Sequence, residues 1–349
     1  DFCLSRGLGD VYKRQIYTSG STGKPKGVMI RQRGLVNYIT WADRVYVQGE
    51  QLDFALYSSI AFDLTVTSIF TPLISGNRVI VYRHSEDGEP LIRKVFRDQK
   101  AGIVKLTPSH LSLVKDMDAS GSSIKRLIVG GEDLKTELAK EITERFHHNI
   151  EIYNEYGPTE TVVGCMIYQY DAGWDRQVSV PIGKPASNVQ LYILDERQEV
   201  QPVGIAGELY ISGDGVAKGY LNKPELTSEK FLPNPFLPGE RMYRTGDLAK
   251  MRPDGHIEYL GRIDHQVKIR GYRIELGEIE HQLLRHSDIK EAAVAAKADQ
   301  NNDQVLCAYV VSERDITQKD IKTFLAKELP EYMVPVSYTH LTLPTTPYV

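Results

Sequence analysis

Three apolar segments decide the fold of this chain: GIVKLT at 102–107, IKRLIVGG at 124–131 and IEIYNEY at 150–156. Each has the length and the β-branched content of a buried strand, and helical patterns at 109–117 and 135–146 separate them. Regular alternation of strands and helices is typical of a parallel sheet with helices on its faces. We therefore predict an α/β fold whose ligands gather beyond the carboxyl ends of the strands.

The same alternation continues toward the amino terminus. Strands are predicted at 52–59 and 77–82, and helices at 63–74 and 89–99. These segments are expected to add to the same sheet and to its helical layers.

The carboxyl-terminal side has a different character. From about Val189 to Leu260, short strands are separated by Gly and Pro turns, which favours antiparallel β-structure. After Gly261 the sequence predicts a small α+β unit. Its elements follow in this order: strand KIRGYRIE, helix GEIEHQLLRH, strands EAAVAAKA and QVLCAYVVS, and helix TQKDIKTFLAKEL.

Composition narrows the possible function classes. The 349 residues carry 42 Lys and Arg against 46 Asp and Glu, a net charge of -4, which gives no electrostatic reason to expect nucleic acid or an anionic membrane as partner. No apolar run in the sequence approaches the roughly 20 residues that span a bilayer. Cys3, Cys165 and Cys307 lack CxxC spacing and the nine His lack HExxH spacing, so neither a disulfide framework nor a zinc site is predicted. A reducing, cytoplasmic setting is expected.

Both ends of the sequence look foreign to the rest. Residues 1–15 lack the apolar core and cleavage site of a signal peptide, and residues 336–349 are rich in Thr and Pro without an amphipathic period. We interpret both as non-native tails, because native-looking sequence begins abruptly at Ile16 and stops near Pro335. Ordinary frayed termini are the alternative.

A glycine-rich segment, YTSGSTGKPKG at 17–27, combines three Gly, four Ser and Thr hydroxyls and two Lys. Backbone N–H groups, hydroxyls and ammonium groups together form a cradle for anions such as phosphate. The segment is not a Walker A loop, because only two residues separate Gly20 from Gly23 and because Pro25 follows Lys24.

This segment resembles the phosphate loop of the adenylate-forming superfamily, and further motifs of that superfamily follow in the same order. They are NEYGPTE (154–160), GELYISGDGVAKGYL (207–221), YRTGDL (243–248), GRIDHQVKIRGYRIELGEIE (261–280) and LPEYMVP (329–335). The longest motif is most similar to that of an adenylation domain from a nonribosomal peptide synthetase. The resemblance covers about Ile16 to Pro335.

The resemblance implies the adenylate-forming fold, with a large α/β core, a β-rich subdomain and a small α+β C-terminal domain. It places a partial large core at 16–262 and an incomplete small domain at 263–335, with the foreign tails at 1–15 and 336–349. Two parts of the family pattern are missing from this sequence. They are the amino-terminal subdomain before the phosphate loop and the Gly-Lys motif after LPEYMVP, since the last fourteen residues contain no Lys.

A nucleotide site is implied as well. In adenylation a carboxylate attacks the α-phosphate of ATP and pyrophosphate leaves, so the site has to neutralise charge. The family's catalytic positions fall on Thr18, Lys26, Thr159 and Glu160, and Glu160 is the expected Mg²⁺ ligand because that ion prefers hard carboxylate oxygen. The ATP-binding positions fall on Ser19, Gly20, Ser21, Thr22, Gly23, Lys24, Asn154, Tyr156, Gly157, Asp247, Tyr259 and Arg262.

Several of these positions have specific implied roles. Tyr156 is expected to stack on adenine with Asn154 beside the base edge, and Asp247 is expected to accept hydrogen bonds from the ribose hydroxyls. Thr159 would contact the α-phosphate, and Asp264 falls at the hinge between the two domains. The residues taken singly leave plainer alternatives: an Asx cap for Asp247, a core position for Tyr156 and a solvated side chain for Glu160.

The substrate pocket is implied by the segment AFDLT at 61–65. The family's Asp at this place binds the α-ammonium group of an amino acid, so Asp63 favours an α-amino acid as substrate, with a helix N-cap as its structural alternative. The pocket-lining positions fall on Asp63, Leu64, Thr67, Lys105, Ile128, Gly130, Glu155, Val163 and Gly164.

Lys105 and Glu155 are informative because the rest of the lining is mostly small or apolar. A carboxamide offers an acceptor oxygen to Lys105 and an NH₂ donor to Glu155, whereas an aspartate side chain would meet Glu155 as a like charge. The combination resembles the family's asparagine-type pocket, so L-asparagine is the first choice, with glutamine or aspartate behind it. Direct pairing of Lys105 with Glu155 is the alternative.

The predicted function is amino-acid adenylation by a peptide-synthetase module. L-asparagine and ATP would give asparaginyl-AMP and pyrophosphate, and the acyl group would pass to the phosphopantetheine thiol of a carrier protein that works beside neighbouring modules. An acyl-CoA or aryl-CoA ligase of the same superfamily is one alternative, although Asp63 argues against it. A catalytically incomplete nucleotide-binding fragment is the other, since the C-terminal lysine is missing.

Overall fold

The computed structural model describes residues 14–18, 26–83, 88–264, 266–269, 272–299, 304–312, 314 and 316–340. These residues form two compact units. Unit 1 contains the described residues of Asp1–Tyr17 and Gly27–Asp264, and unit 2 contains those of Thr18–Lys26 and His265–Val349. The division after Asp264 lies two residues from the predicted boundary at 262, and the extents of the native domains stay a prediction.

Eight α-helices and nineteen strands are assigned within the described residues. The helices are α1 Gln32–Ala42, α2 Leu64–Ser75, α3 Leu91–Asp98, α4 Pro108–Ser112, α5 Thr136–Arg145, α6 Pro224–Lys230, α7 Leu276–Leu283 and α8 Gln318–Leu325. The strands are β1 Arg14–Thr18, β2 Lys26–Ile30, β3 Phe54–Leu56, β4 Val79–Val81, β5 Ile103–Leu106, β6 Arg126–Gly130, β7 Glu151–Tyr156, β8 Met166–Gln169, β9 Lys184–Pro185, β10 Val189–Leu194, β11 Ala206–Gly213, β12 Phe231–Pro233, β13 Arg241–Met251, β14 Ile257–Arg262, β15 Gln266–Ile269, β16 Tyr272–Glu275, β17 Ile289–Ala298, β18 Gln304–Ser312 and β19 Ser337–His340. Every helix in this part of the chain is too short or too polar to cross a membrane.

A seven-stranded sheet forms the centre of unit 1, in the order β4-β3-β5-β6-β7-β8-β9. The five strands from β4 to β7 are parallel, and β8 and β9 add antiparallel at one end. The predicted α/β fold with a parallel sheet is therefore confirmed. Its register places Lys105 of β5 opposite Ile128 of β6, and Gly130 of β6 opposite Glu155 of β7.

The two faces of this sheet pack against different helices. Val104, Leu127 and Ile152 belong to the cluster that includes the apolar sides of α3 and α5. Ile103 and Tyr153 belong instead to the cluster that includes α1. Because side chains alternate along a strand, Lys105 and Glu155 lie on the α1 face, two residues after Ile103 and Tyr153 respectively.

The predictions from sequence contain no helix between 32 and 47, yet α1 lies there and continues directly into a π-helix, Asp43–Val47. Apolar residues of this segment repeat at helical spacing and are buried: Leu35, Tyr38, Ile39, Ala42 and Tyr46. The π-helix ends at Gln48, whose φ of 56° lies in the left-handed region, and the Gln48 N–H donates to the carbonyl of Asp43 at 3.2 Å. Five-residue closure of this kind marks a π-turn.

The second sheet of unit 1 is antiparallel, as the sequence predicted for this region. Its path is β10-β11-β13-β12, with β14 pairing on β13. The pairing of β13 with β14 sets Asp247 opposite Arg262. Apolar side chains of this sheet, including Leu209 and Ile257, pack in one cluster with Tyr156 at the end of β7, so the second sheet lies against the carboxyl end of a central strand.

Unit 2 is the predicted small α+β unit, with one correction. KIRGYRIE was expected to form a single strand, but its described residues belong to two antiparallel strands, β15 and β16. The two strands pair Val267 with Ile274 and Ile269 with Tyr272, and all four side chains join one apolar cluster with α7 and α8. A single extended strand could not bring both halves of this short segment onto one small core.

The remaining sheet of unit 2 has the order β17-β18-β19, with β17 antiparallel and β19 parallel to β18. Helix α8 begins with a capping box, in which Thr317 accepts from the Asp320 N–H and the Asp320 side chain accepts from the Thr317 N–H. Strand β19 lies inside the segment interpreted as a foreign tail, and that interpretation stays a prediction.

Candidate functional site

Asp63 stands at the N-cap position of α2, but its carboxyl reaches away from the helix. Its Oδ2 atom accepts a hydrogen bond of 2.5 Å from the hydroxyl of Thr159, ninety-six residues later in the chain. Burial raises the pKa of Asp63, and the donated hydrogen bond from Thr159 opposes that rise. The contact joins the segment predicted to bind the amino acid to the motif predicted to bind the nucleotide.

Lys105 and Glu155 form a buried ion pair. Lys105 Nζ lies 2.5 Å from Glu155 Oε1, and the exposed fractions of the two side chains are 3% and 2%. Lys105 also donates to Thr67 Oγ1 at 2.8 Å and to the Tyr38 hydroxyl at 3.1 Å. Glu155, Thr67 and Tyr38 thus supply one acceptor for each of the three hydrogens of the Lys105 ammonium group, so every donor of this buried charge has a hydrogen-bond partner.

Glu155 receives further donors from two tyrosines of the α1 region. The Tyr46 hydroxyl donates to Oε2 at 2.6 Å, and the Tyr38 hydroxyl lies 3.1 Å from Oε2 and 3.2 Å from Oε1. Burial, followed by the charge of Glu155, raises the pKa of both phenols well above their ordinary value. Both phenols therefore stay protonated and act as donors.

Tyr38 and Tyr46 were not among the predicted site residues. Their eight-residue spacing within an apolar helical pattern could have revealed the buried face of a helix. That pattern does not distinguish a phenol that fills the core from one whose hydroxyl binds a carboxylate, so the sequence carried no direct signal of their contact with Glu155.

Most of the other predicted lining positions are buried, and two glycines among them lie against Glu155. Thr67 and Ile128 are completely buried, and Val163 is 8% exposed. A Cβ added at Gly164 would collide with the Glu155 carboxyl, and one added at Gly130 would lie 2.7 Å from the Glu155 carbonyl oxygen. The two glycines thus make room for Glu155, while Leu64 is half-buried at the first turn of α2 beside Asp63.

A second group of predicted residues meets on the antiparallel sheet. The Tyr156 hydroxyl donates to Asp247 Oδ2, and Arg262 Nη1 donates to Asp247 Oδ1 at 2.8 Å. Arg262 also forms a two-point ion pair with Asp264, with Nε and Nη2 each 2.6 Å from a carboxyl oxygen. The ring of Tyr259 lies 6.4 Å from that of Tyr156, so all five residues belong to one cluster.

The structure gives Asp247 and Glu160 surroundings that differ from the Asx cap and the solvated side chain considered as alternatives for them. The Asp247 carboxylate binds Tyr156 and Arg262, which is not the arrangement of an Asx cap. Glu160 is completely buried and accepts from the Tyr220 hydroxyl at 2.7 Å, which is not the arrangement of a solvated side chain. The Asn154 amide nitrogen donates to the carbonyls of Val180 and Pro181, at 3.1 and 2.9 Å, so its two hydrogens are used within the fold.

The structure describes only the two ends of the predicted phosphate loop. Ser19, Gly20, Ser21, Thr22, Gly23 and Lys24 lie outside the described residues. Thr18 ends β1 and Lys26 begins β2, the two paired strands on either side of the loop. Gly157 lies so close to Val163 and Gly164 that a Cβ there would meet the Val163 carbonyl oxygen at 2.5 Å.

Within the described residues no cluster of three or more His, Cys, Asp and Glu side chains could hold a metal ion by itself. A magnesium ion that binds mainly through substrate phosphates needs only one or two protein carboxylates. Glu160, beside Thr159 in the motif shared with Asn154 and Tyr156, is a donor of the right chemistry for that arrangement.

Comparisons with known proteins find similarities over most of the chain. The sequence model described as AMP-binding enzyme matches residues 15–221, and the one described as AMP-binding enzyme C-terminal domain matches residues 278–347. Bacitracin synthase 3 of Bacillus licheniformis is 97% identical over 333 residues, which are 95% of this chain and 5% of that protein. The chain therefore spans about one twentieth of the length of this relative.

Two solved structures are also similar. One is a Vibrio cholerae adenylation domain, AlmE, in complex with glycyl-adenosine-5'-phosphate, with a TM-score of 0.85 and 29% identity over 96% of this chain and 64% of that one. The other is an artificially fused adenylation-PCP di-domain from Klebsiella oxytoca, with a TM-score of 0.80 and 26% identity over 93% of this chain and 59% of that one.

Proposed function

The chain belongs to the AMP-binding enzyme family, and from that premise we propose that it activates L-asparagine with ATP as an adenylation domain of a peptide synthetase. The resemblance predicted from the motifs is confirmed by the family matches. In the proposed reaction, a carboxylate oxygen of the amino acid bonds to the α-phosphorus of ATP. The bond from that phosphorus to the bridging oxygen breaks, and pyrophosphate leaves with the electron pair.

The observation that carries this proposal is the orientation of Asp63. Its carboxyl points to Thr159, at 2.5 Å, and not to the backbone of the helix that it begins. A carboxylate held in this way can receive the α-ammonium group of an amino acid, and the Thr159 hydroxyl, replaced by that group as donor to Asp63, can then turn its one hydrogen to the α-phosphate. The short contact between the two residues would then bring amine and phosphate recognition together, which favours an in-line attack.

The choice of asparagine rests on Lys105 and Glu155. Because the two groups already pair in the structure, an apolar substrate side chain would leave their ion pair intact but would gain no hydrogen bond from it. A carboxamide can enter between them, accepting from the ammonium and donating to the carboxylate. An aspartate side chain would add a second negative charge beside Glu155. Glutamine, with the same end group on a longer chain, is the next candidate.

Nucleotide binding is assigned to the cluster of Asp247, Tyr156 and Arg262. The two oxygens of Asp247 are held by different donors, so a ribose that displaced either donor would find an oriented acceptor. Glu160 would hold Mg²⁺, which supplies charge neutralisation at the phosphates when bound. Thr18, Lys26 and the loop between them would hold the leaving phosphates through backbone N–H, hydroxyl and ammonium donors.

The acyl group is proposed to pass on to the phosphopantetheine thiol of a carrier protein within a larger synthetase. Support for this step comes from a relative that is twenty times longer than the matched segment and from the adenylation-PCP fusion whose structure is similar. A cytoplasmic setting is proposed from the absence of paired cysteine spacing; Cys165 and Cys307 are both free thiols.

ATP–pyrophosphate exchange tests the proposal. The full-length protein should exchange label with asparagine at a rate at least about tenfold above that with glutamine, aspartate or leucine. Equal rates with asparagine and leucine would contradict the pocket assignment. Exchange driven by aryl or fatty acids, with none from any amino acid, would contradict amino-acid activation altogether.

A further inference from the structure

The Glu155 carboxylate is held by one predicted lining residue, Lys105, and by two tyrosines outside the predicted lining. Its Oε1 atom is held by Lys105 at 2.5 Å, whereas the shortest hydrogen bond to Oε2 comes from the Tyr46 hydroxyl at 2.6 Å. Tyr38 adds longer contacts to both oxygens. Tyr46 therefore fixes the half of the carboxylate that Lys105 does not contact.

Tyr46 is itself held firmly on three sides. Its ring packs edge-on against Trp41, with centroids 5.6 Å apart, and against Tyr153, at 5.4 Å. Its carbonyl accepts a 3.0 Å hydrogen bond from Arg126 Nη1, which also donates to the Val47 carbonyl at 3.2 Å. Arg126 is in turn paired with Glu151 at 2.6 Å. The end of the π-helix is thus tied to strands β6 and β7, and β7 is the strand that carries Glu155.

A π-helix changes the direction of side chains relative to an α-helix of the same length, because it contains more residues per turn. Here the segment Asp43–Val47 extends α1 and brings the Tyr46 hydroxyl to a carboxylate 109 residues away in sequence. Short π-helical segments occur frequently at functional sites, and this one positions one buried donor on one charged group.

We propose that Tyr46 is a positioning residue, which holds the Glu155 carboxylate in the orientation that selects a carboxamide over a carboxylate side chain. The inference rests on the proposed function. With Tyr46 in place, Glu155 Oε2 cannot turn away, so it faces the incoming NH₂ group as an acceptor and an incoming carboxylate as a like charge. Without that donor, Glu155 gains freedom to rotate, and both the attraction and the repulsion weaken.

The test compares Tyr46→Phe with a matched control, Tyr168→Phe, in the full-length protein. Tyr168 is also buried and donates to a carboxylate, Asp175 Oδ1, at 2.7 Å, but on the opposite face of the sheet from Glu155. Each variant loses one hydroxyl and one hydrogen bond of the same kind. Thermal unfolding should therefore show similar, small losses of stability for both.

The two variants should differ in amino-acid activation. Tyr46→Phe should raise KM for asparagine about tenfold with kcat changed less than about twofold, and should lower the asparagine-to-aspartate ratio of kcat/KM by a similar factor. Tyr168→Phe should leave both quantities at the wild-type values. In a Glu155→Gln background, adding Tyr46→Phe should not change the ratio further, because the charged partner is already gone.

The possible outcomes distinguish a failure of the positioning role of Tyr46 from a failure of the proposed asparagine specificity. If the wild-type protein prefers asparagine and Tyr46→Phe keeps the wild-type ratio and KM, the positioning role is overturned and the substrate assignment stands. If Tyr46→Phe fails to fold while Tyr168→Phe folds, the phenol is a structural element and the inference is also overturned. A wild-type protein with no preference for asparagine overturns the substrate assignment and the inference together.

Discussion

Lys105 Nζ lies 2.5 Å from Glu155 Oε1 across the intervening strand β6, and both side chains are almost completely buried. Burying two charges is unfavourable unless each finds partners, and here Thr67, Tyr38 and Tyr46 supply them. The pair is therefore the centre of a hydrogen-bonded cluster in the core of unit 1. Loss of either charge should lower the free energy of unfolding and should also change which amino acid is preferred as substrate.

A double-mutant cycle on this pair measures that coupling. Lys105→Met and Glu155→Gln should each destabilise the chain by about 3–5 kcal/mol, since each leaves a buried group without its partner, and the double variant should cost clearly less than the sum. Urea unfolding gives the values. The exposed pair Lys140–Glu144, at 3.9 Å, is the control, where Lys140→Met and Glu144→Gln should change stability by less than about 0.5 kcal/mol. Additive effects at Lys105 and Glu155 would contradict the cluster.

Asp63→Asn should separate stability from activity. Burial raises the pKa of Asp63, so at neutral pH the folded chain holds a carboxylate in a place that favours the neutral form. The neutral amide can still accept from Thr159, and the variant should unfold at a higher temperature than the wild type at pH 7. Amino-acid activation should fall at least about tenfold because the ammonium group loses its counter-charge, with ATP binding unchanged.

The stability gain of Asp63→Asn should depend on pH in a defined direction. As pH falls through the raised pKa, Asp63 takes up a proton in the folded wild type before it would do so in the unfolded chain, and the wild type gains stability. The difference between the two proteins should therefore be greatest at neutral pH and disappear below the ordinary carboxyl range. Thermal melts at a series of pH values measure it, and a constant difference would argue against a raised pKa of Asp63 in the folded chain.

Asp247→Asn should act on the nucleotide and not on the amino acid. Loss of the charge that Tyr156 and Arg262 surround weakens an acceptor proposed for both ribose hydroxyls, so KM for ATP should rise about tenfold or more while KM for the amino acid stays constant. Asp254→Asn, at a half-exposed turn next to His256, is the control and should leave both constants unchanged. A matching rise in both constants would show a general disturbance of the fold.

Gly164→Ala should disturb Glu155 through space. A Cβ at this position would overlap the Glu155 carboxyl, which cannot swing aside without losing Lys105 or Tyr46. We expect a loss of about 1–3 kcal/mol in stability and a loss of asparagine preference. At Gly173 the nearest atom to a new Cβ is Asp171 Oδ1 at 3.2 Å, on the surface, so Gly173→Ala should change neither quantity. Urea unfolding measures the stability of both variants, and ATP–pyrophosphate exchange measures their preference for asparagine.

The sequence was sufficient for the central strands of the sheet and for one contact between two of the predicted lining residues. Strands β5, β6 and β7 were predicted because their apolar, β-branched runs are typical of strands buried on both faces. The residues that follow their apolar cores, Lys105 and Glu155, were predicted to share the pocket from the family motif, and they lie in contact.

The sequence was not sufficient for the partners of these charges. Tyr38 and Tyr46 look like core residues in the helical pattern of α1, and only the three-dimensional structure shows that their hydroxyls bind Glu155. For the same reason, the sequence left open whether Lys105 and Glu155 bind a substrate carboxamide or pair directly with each other. The division of KIRGYRIE between strands β15 and β16 was missed because the tertiary contacts of these two strands are not visible in its local pattern.

The two phenols on Glu155 limit how this domain can be given another specificity. A graft of lining residues that replaces Glu155 by an apolar side chain would leave the Tyr46 hydroxyl without its acceptor, whereas the Tyr38 hydroxyl keeps Thr67 Oγ1 at 2.5 Å. A buried hydroxyl that loses its hydrogen-bond partner costs about 1–3 kcal/mol. Successful recoding therefore has to exchange the helix and its π-turn together with the lining, as one transferable block.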